Sequence, residues 1–140
     1  MKRKTNSPRR PAGGVKRVLV VDRDSGTSTL CRAALAGKDC IVETHTSAVA
    51  AITAARRHPP DLVLVSLQLG DASGAEVVEW LRSTPELQAA PIIALTAMAD
   101  DYGRLLGSGI ATVLRKPLTI AAIRRAVRGV WLPPATEVTL

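Results

Sequence analysis

Three short stretches of the chain are almost continuously apolar, and they lie at residues 18–21, 62–65 and 92–95. Apolar runs of about four to eight residues are typical of strands that a parallel sheet buries on both faces. Two weaker runs, at residues 40–43 and 112–114, include polar positions. These weaker runs predict the strands at the two edges of the same sheet.

Segments with the length and apolar spacing of helices lie between these runs. The first of them is predicted to begin with Ser25 as its N-cap and to end at Gly37. Five strands alternating with five helices predict an α/β fold with a doubly wound parallel sheet, because parallel neighbours need helical crossovers that cover both faces. The predicted helices cover residues 27–36, 48–57, 74–81, 99–106 and 119–130.

Polar and charged side chains follow the predicted strands directly. In an open parallel sheet, ligands bind at the carboxyl ends of the strands, near the point at which the strand order reverses. The sequence therefore predicts a site where the strands end. Its candidate residues are Asp22, Arg23 and Asp24 after the first strand, Ser66 after the third, Thr96 after the fourth and Lys116 after the fifth.

Four ordered segments, at residues 18–22, 60–65, 91–97 and 114–117, resemble the motifs of bacterial response-regulator receiver domains. The similarity extends over about residues 15–130. It implies a flavodoxin-like, five-stranded fold. It also implies a pocket in which an aspartate accepts a phosphoryl group from a histidine kinase or a small donor, with an Mg ion held by acidic residues.

The resemblance assigns roles to some pocket residues and also shows departures from the family pattern. Lys116 would supply the ammonium group and Thr96 the hydroxyl group that contact the phosphoryl oxygens. The phosphate-accepting aspartate falls on Ser66, whose hydroxyl cannot form an acyl phosphate. The second acid after the first strand falls on Arg23, and the aromatic switch position that works with Thr96 falls on Val113.

Replacing two carboxylates with Ser66 and Arg23 removes negative charge from the pocket, so we expect Mg binding to be weak or absent and no other cofactor or metal. Asp22 and Asp24 are then predicted to pair with Lys116 and Arg23 in a metal-free cluster of salt bridges that fixes one conformation. Lys116 and Pro117 match the Lys-Pro pair of the family, and the sequence leaves the cis or trans isomer of this bond open.

The composition excludes some classes of protein. No apolar stretch approaches the roughly 20 residues that span a bilayer, and no apolar segment follows the basic N-terminus as it would in a secretory signal. We therefore expect a cytoplasmic protein without a membrane partner. Cys31 and Cys40 form no CxxC pair, and with two histidines they do not supply a zinc site.

The basic charge of the chain is concentrated at its N-terminus. Residues 1–14 carry five of the 19 basic residues and none of the 12 acidic residues. This segment lacks hydrophobic periodicity, so it is predicted to be a disordered arm. A receiver-like domain over residues 15–130 and a C-terminal tail over residues 131–140 follow it.

By the resemblance, partners would dock on the face made by the fourth predicted helix, the fifth strand and the last helix. The expected partner is a signalling protein, either a histidine kinase or an effector, and a homodimer is left open. The candidate residues on this face are Asp100, Asp101, Tyr102, Arg104 and Arg128.

Together these patterns predict a stand-alone, atypical receiver domain of two-component signalling that is not an enzyme and acts by phosphorylation-independent protein–protein interaction. One alternative is a phosphorelay receiver with a displaced acceptor at Asp22 or Asp24. The other is a nucleic-acid-associated protein, since a basic arm gains affinity for nucleic acid through counterion release. A solvated arm without such a function is favoured over the second alternative.

Overall fold

A computed structural model describes residues 14–97 and 109–131 of the chain. Within them, five parallel strands form one sheet in the order β2-β1-β3-β4-β5. This order is that of flavodoxin-like folds, so the predicted fold class is confirmed. The strands are β1 (Lys16–Val21), β2 (Cys40–His45), β3 (Leu62–Ser66), β4 (Ile92–Thr96) and β5 (Thr112–Arg115).

Four α-helices lie in the described ranges, and the predicted helix over residues 99–106 lies outside them. The predicted N-cap of the first helix is wrong by one residue: Asp24, not Ser25, accepts a hydrogen bond from the backbone of Gly26. The first helix also ends one residue earlier than predicted, at Leu35, with Ala36 as its C-cap. The helices are α1 (Ser25–Leu35), α2 (Ala48–Arg57), α3 (Gly74–Ser83) and α4 (Ile120–Trp131), and a short 3₁₀ helix covers Pro85–Leu87.

The central strands β1, β3 and β4 are buried on both faces, which explains their continuous apolar sequences. Successive side chains of β1 alternate between the two faces of the sheet. Val18 and Val20 join the apolar cluster that includes residues of α1 and α4, whereas Leu19 and Val21 join the cluster that includes residues of α2 and α3. No helix in the described part of the chain is long and apolar enough to cross a membrane.

The side chain of Arg82 ties the end of α3 to the loops that lead into β4 and β5. One terminal guanidinium nitrogen donates to the backbone oxygens of Gln88 at 2.7 Å and Ala90 at 3.1 Å, and the other donates to Gly109 at 2.7 Å. Gly109 has a positive φ of 89°, and a Cβ added there would lie 3.1 Å from Arg82 Nε. Burial lowers the pKa of this guanidinium. Three backbone carbonyl oxygens accept hydrogen bonds from it.

Arg82→Ala is expected to destabilise the fold by about 2–3 kcal/mol, because three hydrogen bonds from a charged donor are lost and the partly buried carbonyl of Ala90 is left without this partner. Urea unfolding measures the change. Arg125→Ala, which removes an exposed arginine from α4, is the matched control and should change the stability by less than about 0.5 kcal/mol. Equal stability losses in the two variants would contradict this role of Arg82.

Candidate functional site

The register of the sheet brings the ends of its strands together at one edge. Val21 pairs with Val65, Ser66 pairs with Leu95, and Thr96 pairs with Arg115. The residue that follows each strand therefore lies at the same carboxyl edge. Four of the predicted site residues meet there, namely Asp22, Ser66, Thr96 and Lys116.

The centre of this edge is an ion pair between Asp22 and Lys116. Lys116 Nζ lies 2.7 Å from Asp22 Oδ2, and the exposed fractions of the two side chains are 24% and 1%. Asp22 Oδ1 accepts a hydrogen bond of 3.0 Å from the backbone of Asp24. Oδ2 accepts no directed hydrogen bond from a described residue, so its contact with Lys116 is one of charge. The buried carboxylate therefore depends on the ammonium group for its neutralisation.

Asp24 and Arg23 do not form the second pair of the predicted cluster. Asp24 Oδ1 accepts a hydrogen bond of 2.9 Å from Gly26 and caps α1. Arg23 is exposed, and its guanidinium carbon lies 4.0 Å from the position that a Cβ would take at Gly70. The predicted cluster of four residues is therefore wrong in part. The carboxylate of Asp24 caps α1, and the side chain of Arg23 extends towards Gly70 in the loop after β3.

Ser66 is buried at the end of β3, and its hydroxyl group faces its own loop. Ser66 Oγ accepts from the backbone nitrogen of Gln68 at 3.3 Å and lies 3.5 Å from the backbone oxygen of the same residue. Thr96, at the end of the neighbouring strand, is likewise buried. Val113 is buried in β5 and belongs to the apolar cluster on the side of α2 and α3. The peptide bond between Lys116 and Pro117, whose isomer the sequence left open, is cis.

Asp71 braces the loop that follows Ser66, and sequence reasoning did not single it out. Its carboxylate oxygens accept hydrogen bonds from the backbone nitrogens of Ala48 at 3.0 Å and Val49 at 3.1 Å, in the first turn of α2. These hydrogen bonds lower the pKa of Asp71 below its usual value. Ser47 caps the start of α2 locally by accepting from the backbone nitrogen of Ala50. No local signal in the sequence points to a second cap 23 residues away.

Among the described residues, no group of three or more His, Cys, Asp or Glu side chains is close enough together to hold a metal ion. Cys31 is fully buried among apolar side chains, and burial raises the pKa of its thiol to about 11. The thiol is therefore protonated at neutral pH, which makes it a poor metal ligand and a poor nucleophile.

Four of the five candidate residues of the predicted docking face lie outside the described residues. Asp100, Asp101, Tyr102 and Arg104 are all outside them. Arg128 is exposed on α4, where it lines a groove with residues of α1. Because Arg128 is exposed, docking of a partner at this residue stays a prediction.

Comparison with known proteins places this architecture in a family. A profile of the response regulator receiver domain matches residues 18–128, which is most of the chain. The chain therefore belongs to the response regulator receiver domain family.

One relative is the polar-differentiation response regulator DivK of Brucella ovis. It is 40% identical over 76 residues, which cover 53% of this chain and 62% of DivK. The chain thus matches somewhat less than two thirds of the length of this relative.

Solved structures share the fold at low sequence identity. The chemotaxis response regulator CheY4 of Vibrio cholerae has a TM-score of 0.77 at 20% identity, over 83% of this chain and 98% of CheY4. A two-component response regulator from Clostridium difficile has a TM-score of 0.75 at 20% identity, over 84% of this chain and 97% of that protein.

Lys116→Met is expected to destabilise the protein by about 2–3 kcal/mol, because it leaves the buried carboxylate of Asp22 without its counterion. Adding Asp22→Asn should recover part of this loss, with a coupling energy of about 1 kcal/mol or more. Chemical unfolding of the four species in the double-mutant cycle measures both quantities. Lys38→Met, at an exposed position, is the control; additive losses in the cycle would contradict the ion pair.

Acidification should remove the contribution of Asp71 to stability. Because the folded-state pKa is lowered, this contribution is complete above the ordinary carboxyl pKa of about 4 and is lost as the pH falls through the folded-state value. Unfolding of the native chain and of Asp71→Asn across a pH series tests this. The two proteins should differ in stability at neutral pH and converge in acid, and a constant difference would refute the assignment.

Proposed function

We propose that this chain is a receiver domain that acts by binding a signalling protein and does not receive a phosphoryl group. The observation that carries the proposal is the chemistry at the end of β3. The family resemblance puts the phosphoacceptor position at Ser66, whose hydroxyl contacts the backbone of Gln68. A neutral alcohol in this position has no carboxylate with which to attack phosphorus.

The donor set does not fit the Mg ion that the family implies. Asp22 supplies one carboxylate, and the ammonium group of Lys116 lies 2.7 Å from its Oδ2. The neighbouring acid, Asp24, caps α1 with its Oδ1. Mg ions require several oxygen ligands in near-octahedral geometry, and a cation already at the buried carboxylate opposes a second one. The proposed mechanism therefore includes no metal and no other cofactor.

The same contacts weigh against phosphorylation at a displaced acceptor. Asp22 is buried and already neutralised by Lys116, so attack on an external donor would require breaking the ion pair. Asp24 is exposed, but its Oδ1 caps α1 through Gly26, and phosphorylation of its Oδ2 would make Oδ1 a weaker acceptor for this hydrogen bond. Loss of such a cap costs about 1 kcal/mol.

The proposed activity is recognition of another protein rather than catalysis. Response regulator receivers interact with kinases or effectors. A receiver whose Asp22–Lys116 ion pair is fixed presents the same conformation to such a partner whether or not a phosphoryl donor is present. A histidine kinase or an effector of two-component signalling is therefore the proposed partner class. With the buried carboxylate of Asp22 neutralised, the pocket then serves as a structural centre of the domain.

Intact-mass spectrometry after incubation with acetyl phosphate and Mg tests the proposal. The native chain should gain no phosphoryl group. Ser66→Asp restores the acceptor, and Ser66→Asp combined with Arg23→Asp restores both missing acids, so the double variant should gain one phosphoryl group. This double variant is the positive control, because it reports whether the scaffold and the reaction conditions support transfer.

A single phosphoryl adduct on the native chain would overturn the proposal. Peptide mapping would then decide between Asp22 and Asp24, and loss of the adduct in Asp22→Asn or Asp24→Asn would identify the acceptor. Thermal melting with and without Mg adds a second readout. The native chain should not be stabilised by the ion, whereas the double variant should be.

A further inference from the structure

A basic groove lies between the end of α1 and the second half of α4, at the edge of the sheet opposite to Ser66. Lys16 is the first residue of β1, so the groove lies where the parallel strands begin rather than where they end. Its volume is about 430 Å³, which is in the range of pockets that bind small ligands or anchoring side chains. It is lined by Lys16, Ala34, Leu35, Arg124, Val127, Arg128 and Trp131.

Three of these seven lining residues are cationic and none of them is acidic. Arg124 is held in place by hydrogen bonds from its Nε to the backbone oxygen of Ala34 at 2.9 Å and from a terminal nitrogen to Ala33 at 3.5 Å. Arg128 is exposed one turn further along α4. The nearby carboxylate of Asp61 accepts a hydrogen bond of 2.7 Å from the backbone of Arg17. No acidic side chain is among the lining residues that the structure describes.

Trp131 forms a fixed wall of the groove. The ammonium group of Lys16 lies over its ring, 5.4 Å from the centroid, and its Nε1 lies 3.5 Å from the backbone oxygen of Asp61. Leu35 and Val127 add aliphatic surface beside the indole. An aromatic anchor held from two sides, with cations around it, is a common arrangement in protein-binding surfaces.

We propose that this groove binds an acidic segment of a partner protein, with an apolar side chain against Trp131 and carboxylates facing Lys16 and Arg128. Charge complementarity selects this occupant. A second copy of the chain is disfavoured because each copy carries a net charge of +7. Single-stranded nucleic acid is disfavoured because Lys16 covers one face of the indole on which a base would stack.

The groove and the site at Ser66 lie at opposite ends of the strands, so this proposal does not rest on the proposed function. Phosphorylation of the native chain would overturn the proposed function and would not affect the groove proposal. Failure of the acidic peptide to bind would overturn the groove proposal alone. The experiment therefore reads binding at Trp131 directly.

Tryptophan fluorescence provides the measurement. The chain has two tryptophans, and Trp80→Phe leaves Trp131 as the only one while keeping an aromatic ring beneath Arg56. The probe is a synthetic peptide of about ten residues built from Glu and Leu, and the same peptide with Gln in place of Glu is its control. The acidic peptide should produce a saturable change in Trp131 emission, and the Gln peptide should not.

Arg128→Glu in this background should weaken binding of the acidic peptide by about tenfold, and Arg128→Gln by about threefold. Arg125→Glu makes the same change in net charge on an exposed part of α4 outside the groove, and it should weaken binding by less than about threefold. Circular dichroism confirms that each variant is folded.

Three results would overturn the proposal. The first is no saturable change with the acidic peptide. The second is equal weakening by Arg128→Glu and Arg125→Glu, which would mean non-specific attraction to a basic protein. The third is tighter binding of a single-stranded oligonucleotide that depends on Arg128, which would assign the groove to nucleic acid instead.

Discussion

Parallel pairing of β1, β3 and β4 determines which side chains of this protein meet. Because these strands and β5 all run in one direction, the residues at their carboxyl ends come to the same edge. Asp22 and Lys116 are 94 positions apart in sequence and only 2.7 Å apart in space for this reason. The other edge, where the strands begin, collects a different set of residues, and the basic groove forms there.

The electrostatics of the site reduce to a balance between one buried carboxylate and one cation. A receiver pocket with several acids requires a divalent ion to offset their repulsion, whereas a single acid requires one ammonium group. Ser66 and Arg23 are consistent with this simpler balance. Ser66 adds no charge to the buried part of the site, and the guanidinium of Arg23 is in solvent, where its charge is screened.

The sequence predicted the fold well because the signals for buried strands and amphipathic helices are local. The bounds of α2 agree with the predicted range of 48–57, and the edge positions of β2 and β5 follow from their weaker apolar runs. Bonds from side chains to distant backbone could not be predicted in this way. Arg82 reaches a carbonyl 27 residues away, Asp71 reaches an amide 23 residues away, and no periodicity reports either contact. The role of Asp24 was missed because a helix cap and an ion-pair partner require the same residue type.

The brace from Asp71 to the first turn of α2 has a consequence for recognition. Together with the capping box of Ser73 and Glu76, it anchors the loop after β3 through contacts within the protein itself. A loop that is ordered before any encounter loses little conformational entropy when a partner settles on it. The order of this loop is therefore part of the folding of the domain, and no binding event has to supply it.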